Sequence, residues 1–205
     1  ITQPGNMVFH NGNAFEKDGK IVIDSFLQSD GYVLEALQSI DQYGNLPSNE
    51  QPSKFTRFVL DLEKEEVASR TELGEDQDFP RFDIRQSGLE ARTLYVGEGD
   101  LDDVDPLRFA RIVRHNFAGG AEASATVTDA QSFGEPVFIP KATGPASEDN
   151  GWILNLLYDA DRNETALDIR DAATLELQAR AWTGQHFPLG FHGNFTPGWY
   201  VNEPA

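Results

Sequence analysis

Apolar positions along the chain come in short alternating runs broken by turns, and the pattern predicts strands almost throughout. The candidate strands are Met7 to His10, Lys20 to Asp24, Phe55 to Leu62, Arg92 to Gly97, Leu107 to Val113, Ala123 to Thr128, Pro136 to Ile139, Trp152 to Tyr158, Thr165 to Ile169 and Leu175 to Trp182. They are rich in β-branched and aromatic residues, which suit a pleated, half-buried surface. Turn clusters separate them, among them Asp18-Gly19, Gly97-Glu98-Gly99, Ala118-Gly119-Gly120 and Glu148-Asp149-Asn150-Gly151. Helical spacing is found over Tyr32 to Ile40, where Val33, Leu34, Leu37 and Ile40 share one face. Two stretches read as hairpins around a Leu-Asp or Asp-Ile corner: Phe58 to Leu62 returning through Glu66 to Leu73, and Ala166 to Ile169 returning through Leu175 to Trp182. Many short antiparallel strands of this kind point to a sandwich, a barrel or propeller blades. The connection from Ser25 to Lys54 is longer than a hairpin needs, and long loops often carry function.

Composition narrows the function. The chain has 205 residues, enough for one domain with a sizeable core. With Lys+Arg 16 against Asp+Glu 34, the formal net charge is -18. That balance argues against a nucleic-acid partner, which needs a basic face, and it supplies no polybasic attraction to anionic lipid. The absence of Cys excludes disulfides, thiolate metal sites and a Cys nucleophile. Any metal site must then use His, Asp and Glu, a donor set that suits iron, manganese or zinc. No apolar run reaches the roughly 18 residues of a membrane span. The sequons at Asn163 and Asn194 read as chance matches. The first residue is Ile1, so a start upstream, with any targeting signal, is the expectation.

Four histidines differ in setting. His10 closes the apolar run Met7-Val8-Phe9 and is followed by Asn11-Gly12; His192 sits in Pro188-Leu189-Gly190-Phe191-His192-Gly193. Both read as strand ends beside glycine, where a backbone can bend toward a central site. His115 closes the charged run from Arg108 to Arg114 and reads as exposed, and His186 lies in a Gly-Gln-His turn that leaves its role open. Two acids have unusual surroundings: Glu135 within Phe133-Gly134-Glu135-Pro136-Val137-Phe138, and Asp78 within an acidic cluster, Asp76 to Asp83, that otherwise reads as an exposed turn. A carboxylate can accept the second N–H of a metal-bound His and fix its tautomer. No nucleophile elbow, phosphate-cradling Gly-rich loop or His-Glu-x-x-His helix occurs.

Four segments, in order, resemble the carotenoid cleavage oxygenase family, which includes apocarotenoid oxygenases, lignostilbene dioxygenases and the retinal pigment epithelium isomerohydrolase. They are Val8 to Glu16 with Asp18 to Asp24, Asp78-Phe79-Pro80-Arg81-Phe82-Asp83, Gly134 to Pro140 with Glu148 to Leu154, and Pro188 to Gly193. The resemblance implies an all-β fold, with residues 1–205 forming the C-terminal portion of a single seven-bladed β-propeller domain whose first blades lie upstream of Ile1. It implies Fe(2+) on the axis held by four His, of which His10 and His192 are the third and fourth and the first two lie upstream. Glu135 would orient His192, and Asp78 would stand where the family has a Glu that orients His10. The missing methylene predicts a longer, water-bridged or absent bond at Asp78. His115 and His186 match no ligand position. The implied activity is cleavage by O2 of a carbon–carbon double bond in an apolar conjugated substrate, a carotenoid or apocarotenoid. Alternatives are stilbene cleavage, isomerisation at the same iron, or a catalytically incomplete relative that binds only a lipid or a partner. The implied location is cytoplasmic or peripheral to a membrane, with any membrane contact made by the upstream part.

Overall fold

A computed structural model describes residues 1, 5–28, 52–100, 108–119, 122–142, 147–188 and 190–196. The described residues are all-β apart from one short 3-10 turn, Ile84–Gln86. The first sheet is an antiparallel meander of β1 (Met7–Lys17), β2 (Lys20–Gln28), β3 (Lys54–Asp61) and β4 (Glu66–Glu75). The second is β5 (Gln77–Arg81), β6 (Thr93–Glu98), β7 (Arg111–Asn116) and β8 (Ala123–Thr126). The third holds β10 (Val137–Pro140), β11 (Gly151–Asp159), β12 (Glu164–Asp171) and β13 (Leu177–Trp182), with β9 (Gln131–Phe133) also paired to β11.

Burial shows how the sheets are arranged. β6 is buried at every position from Thr93 to Gly97, and β7 from Ile112 to His115. Strands buried on both faces must have a neighbour on each side. Leu94, Val96 and Val113 turn one way and join Phe26 and Phe55 of the first sheet, whose rings stack 4.7 Å apart. Tyr95, Ile112 and Ala125 turn the other way and join Phe133, Ile153, Leu157 and Ala166 of the third. The alternation along β6 is therefore the joint between sheets, with odd and even residues serving different neighbours. The Tyr95 hydroxyl donates to the Ala172 carbonyl at 3.0 Å and ties the second sheet to the third. Three antiparallel sheets stacked face to face, two of four strands and a third of four plus the short β9, are propeller blades.

The hairpins expected at Phe58 to Leu73 and Ala166 to Trp182 are β3–β4 and β12–β13, but the second turns only after Asp171, and the Leu167-Asp168-Ile169 corner is paired strand inside β12. Other details differ. The segment Ser25 to Gln28 belongs to β2, because Phe26 pairs with Phe55 and fills the core, so the long connection starts later than the polarity suggests. β1 runs on past His10 to Lys17. β5 and β9 were not legible as strands, since Pro80 and the brevity of Gln131–Phe133 hide them. The helix expected over 32–40 and the residue Leu107 lie outside the described residues.

Candidate metal centre

The site is assembled from the leading edges of the three sheets. β1 and β5 are edge strands, and β9 and β10 run along the same side of β11 as one interrupted edge. Each of these edges is irregular where it carries a site residue. The β1–β2 register shifts on either side of His10 and Asn11. The β5–β6 register shifts between Asp78 and Arg81, where Phe79 takes a φ of 54°. Glu135 stands in the gap between β9 and β10. A bulge re-aims side chains that a regular pleat would send to opposite faces. Asp78 and Arg81, three apart, can thus both serve one site.

His10 Nδ1 lies 2.7 Å from Asp78 Oδ1, which also accepts the Phe79 N–H at 2.8 Å. The bond is direct despite the short side chain, against the expectation of a longer, bridged or absent one, because β5 packs against β1. Asp78 is a strand residue of this site and not an exposed turn acid. His192 Nδ1 lies 3.0 Å from Glu135 Oε1. Glu135 is buried, and Arg81 grips it with two bonds of 2.7 and 2.9 Å. Burial pushes the Glu135 carboxyl up, but bonds from Arg81, the Gly193 amide and His192 outweigh it and hold its pKa below the ordinary value.

An ionised carboxylate accepts only, so each Nδ1 carries a proton, and in the neutral ring Nε2 is then the lone-pair nitrogen. The two Nε2 atoms face each other at 3.2 Å. Phe79 packs edge-on to both rings, at 5.4 Å from His10 and 5.3 Å from His192, and is backed by Phe109 at 5.2 Å. Beside His192 lies an apolar hollow of about 270 Å³, walled by Val137, Leu154, Leu156, Leu167, Phe187 and Phe191.

His10 and His192 are thus brought together, each with its acid, although neither ends a strand: His10 is inside β1 and His192 lies in the segment after β13. The other two histidines are elsewhere. His115 was expected to be exposed, and it is 4% exposed, closed in by the first sheet. Its Nε2 meets Gln77 Oε1 at 2.8 Å and its ring meets Phe55 at 5.1 Å. His186 stacks on Tyr158. Phe79 and Arg81 were not singled out by the sequence, although both stand in the motif around Asp78. Among the described residues no set of three His, Asp or Glu side chains converges to hold an ion. Also among them, no helix is long and apolar enough to cross a membrane.

Residues 1–197 match the family of the retinal pigment epithelial membrane protein. The apocarotenoid-15,15'-oxygenase of Synechocystis sp. is 31% identical over 202 residues, covering 95% of this chain and 39% of that protein. The chromoplastic zeaxanthin 7,8(7',8')-cleavage dioxygenase of Crocus sativus is 26% identical over 94% of this chain and 51% of its own length. The chain therefore spans about two fifths to one half of these relatives. The crystal structure of cobalt-substituted Synechocystis ACO superposes with a TM-score of 0.77 at 26% identity, covering 91% of this chain and 38% of that one. The chain belongs to this family, that of the retinal pigment epithelial membrane protein and the carotenoid cleavage oxygenases.

Proposed function

We propose that the chain forms part of a non-haem Fe(II) oxygenase that uses O2 to cleave a carbon–carbon double bond of a carotenoid or apocarotenoid, giving aldehyde or ketone products. The observation that carries this reading is the pair of Nε2 atoms 3.2 Å apart, each backed by a carboxylate on Nδ1. Two lone pairs aimed at each other repel, and a cation between them removes the repulsion. The separation is within the roughly 4 Å that two nitrogen–metal bonds of about 2 Å span. Neutral imidazoles fixed by carboxylates are the donors that bind such an ion, and imidazole nitrogen suits iron among other transition metals. A bound iron would supply the open positions and redox chemistry that O2 requires.

His10 and His192 would hold the metal, Asp78 and Glu135 would fix their tautomers, and Phe79 would keep water from one flank of the pair. The remaining ligands would come from outside this chain, from upstream blades of a seven-bladed propeller. The apolar hollow beside His192 suits a conjugated hydrocarbon. Its neighbours' names support the substrate class, and a cobalt-substituted structural neighbour supports a metal.

The test is metal analysis and polyene cleavage in the intact protein. His192→Ala and His10→Ala are each expected to abolish stoichiometric iron and cleavage. Iron retained at wild-type stoichiometry would overturn the assignment. Parallel incubation with carotenoids, apocarotenoids and stilbenes under O2 separates the substrate classes by product.

A further inference from the structure

We propose that Arg81 is a positioning residue of this centre, a clamp reaching from the second sheet to fix both Glu135 and the backbone that carries His192. This rests on reading His192 as a metal ligand. Arg81 Nε donates to Glu135 Oε1 at 2.7 Å and Nη2 to Oε2 at 2.9 Å. The same Nη2 donates to the Gly193 carbonyl at 2.7 Å, while the Gly193 N–H donates to Glu135 Oε2 at 2.6 Å. The backbone N–H and C=O of Gly193, which belong to successive peptide groups, are therefore both held by one ion pair. His192 adds its own Nδ1–H to Glu135 Oε1. Each carboxylate oxygen then accepts two bonds, and the carboxylate plane cannot turn without breaking the guanidinium fork.

The segment needs such a hold. Among the described residues, 190–196 makes no strand pairing. The His192 side chain is 53% exposed, so packing does not settle its ring. Phe79 touches one side, and Glu135 supplies the hydrogen bond that sets its rotation. Arg81 fixes Glu135 from a different sheet, so the orientation of His192 depends on the joint between the second and third blades. A lysine would offer a single point charge in place of the fork.

The experiment compares Arg81→Gln and Arg81→Lys with wild type in the intact protein. Co(II), added as the chloride, is titrated in competition with a chelator, and its visible bands are recorded. Hydrogen–deuterium exchange is followed on the peptide containing Gly193, and thermal unfolding serves as a folding control. Arg81→Gln is expected to weaken Co(II) binding by about 10-fold, the low end of the roughly 10–100-fold loss when a ligand's own hydrogen-bonding partner is removed, because Arg81 acts on His192 through Glu135 and Gly193. Its Co(II) bands should shift and the Gly193 peptide should exchange faster. Arg81→Lys should fall between it and wild type, and serves alone if the Gln variant does not fold. Wild-type Co(II) affinity and spectrum in both variants would overturn the proposal, whether or not thermal stability falls. If wild type itself takes up no Co(II), the metal reading fails separately, and the exchange arm judges the clamp: unchanged exchange at Gly193 overturns it, faster exchange supports it.

Discussion

A histidine's behaviour in this chain follows from what meets its second nitrogen. His10 and His192 each turn Nδ1 to a carboxylate and so present Nε2 outward, whereas His115, with Glu122 3.3 Å from its Nδ1, has its Nε2 taken by the Gln77 amide oxygen and is enclosed. Burial pushes the His115 pKa down, and nearby Glu122, Glu98 and Asp24 only partly counter it. The folded state thus favours the neutral ring. An unfolded His takes its proton near pH 6.5. Above that pH neither state is protonated and the contribution of this site is complete. As pH falls below about 6.5 the unfolded state binds the proton first and stability is lost, until the lower folded pKa is passed. Denaturant midpoints measured from pH 7.5 to 5 should therefore fall less steeply in His115→Gln than in wild type. An unchanged slope would contradict the buried, neutral ring. The run Arg-Ile-Val-Arg-His-Asn looks half exposed in sequence because Arg114 and His115 are polar. Both are buried, since β7 is covered on both faces and Arg114 finds Asp149. By contrast His10 and His192 were legible from their motifs, which carry information that polarity does not.

At the scale of elements, the strands were legible and their defects were not. Alternation exposes a strand because side chains point to opposite faces, but a bulge breaks that rule at one residue and leaves little trace. The faint signals here are Gly12, Pro80 and the Gly134–Pro136 pair, set inside or between the edge strands that build the site. Arg81 was missed for this reason: three residues after Asp78, it should face away in a regular strand. β6 connects these defects to the core. A Cβ at Gly97 would come within 2.8 Å of the Phe109 ring, and Phe109 backs Phe79, which touches both histidines. Gly97→Ala is expected to destabilise by about 1–3 kcal/mol through overpacking, and, if the pair holds a metal as proposed, to weaken its binding by displacing Phe79. Urea unfolding together with metal titration checks both effects. Wild-type metal affinity in a destabilised variant would show that Phe79 does not transmit the shift.

At the scale of the molecule, sequence periodicity left sandwich, barrel and propeller open, because it reports which positions are buried and not which sheet buries them. The two core clusters decide it by sharing the second sheet. Leu94 faces the first sheet and Ile112 the third, so each tests one joint. Leu94→Ala and Ile112→Ala are each expected to cost about 2–5 kcal/mol and to move one common unfolding transition. Trp152 and Trp182 both lie in the third sheet. Their fluorescence should follow Leu94→Ala as closely as circular dichroism does, and separate transitions would show blades that melt alone. One consequence concerns time. The Nε2 atoms of His10 and His192 meet across 182 residues of chain, and contacts of such separation form slowly because a long loop must close first. The pair needs the first and third sheets both docked on the second, so the metal capture proposed above would fall late in folding, and a chain caught earlier would lack the site.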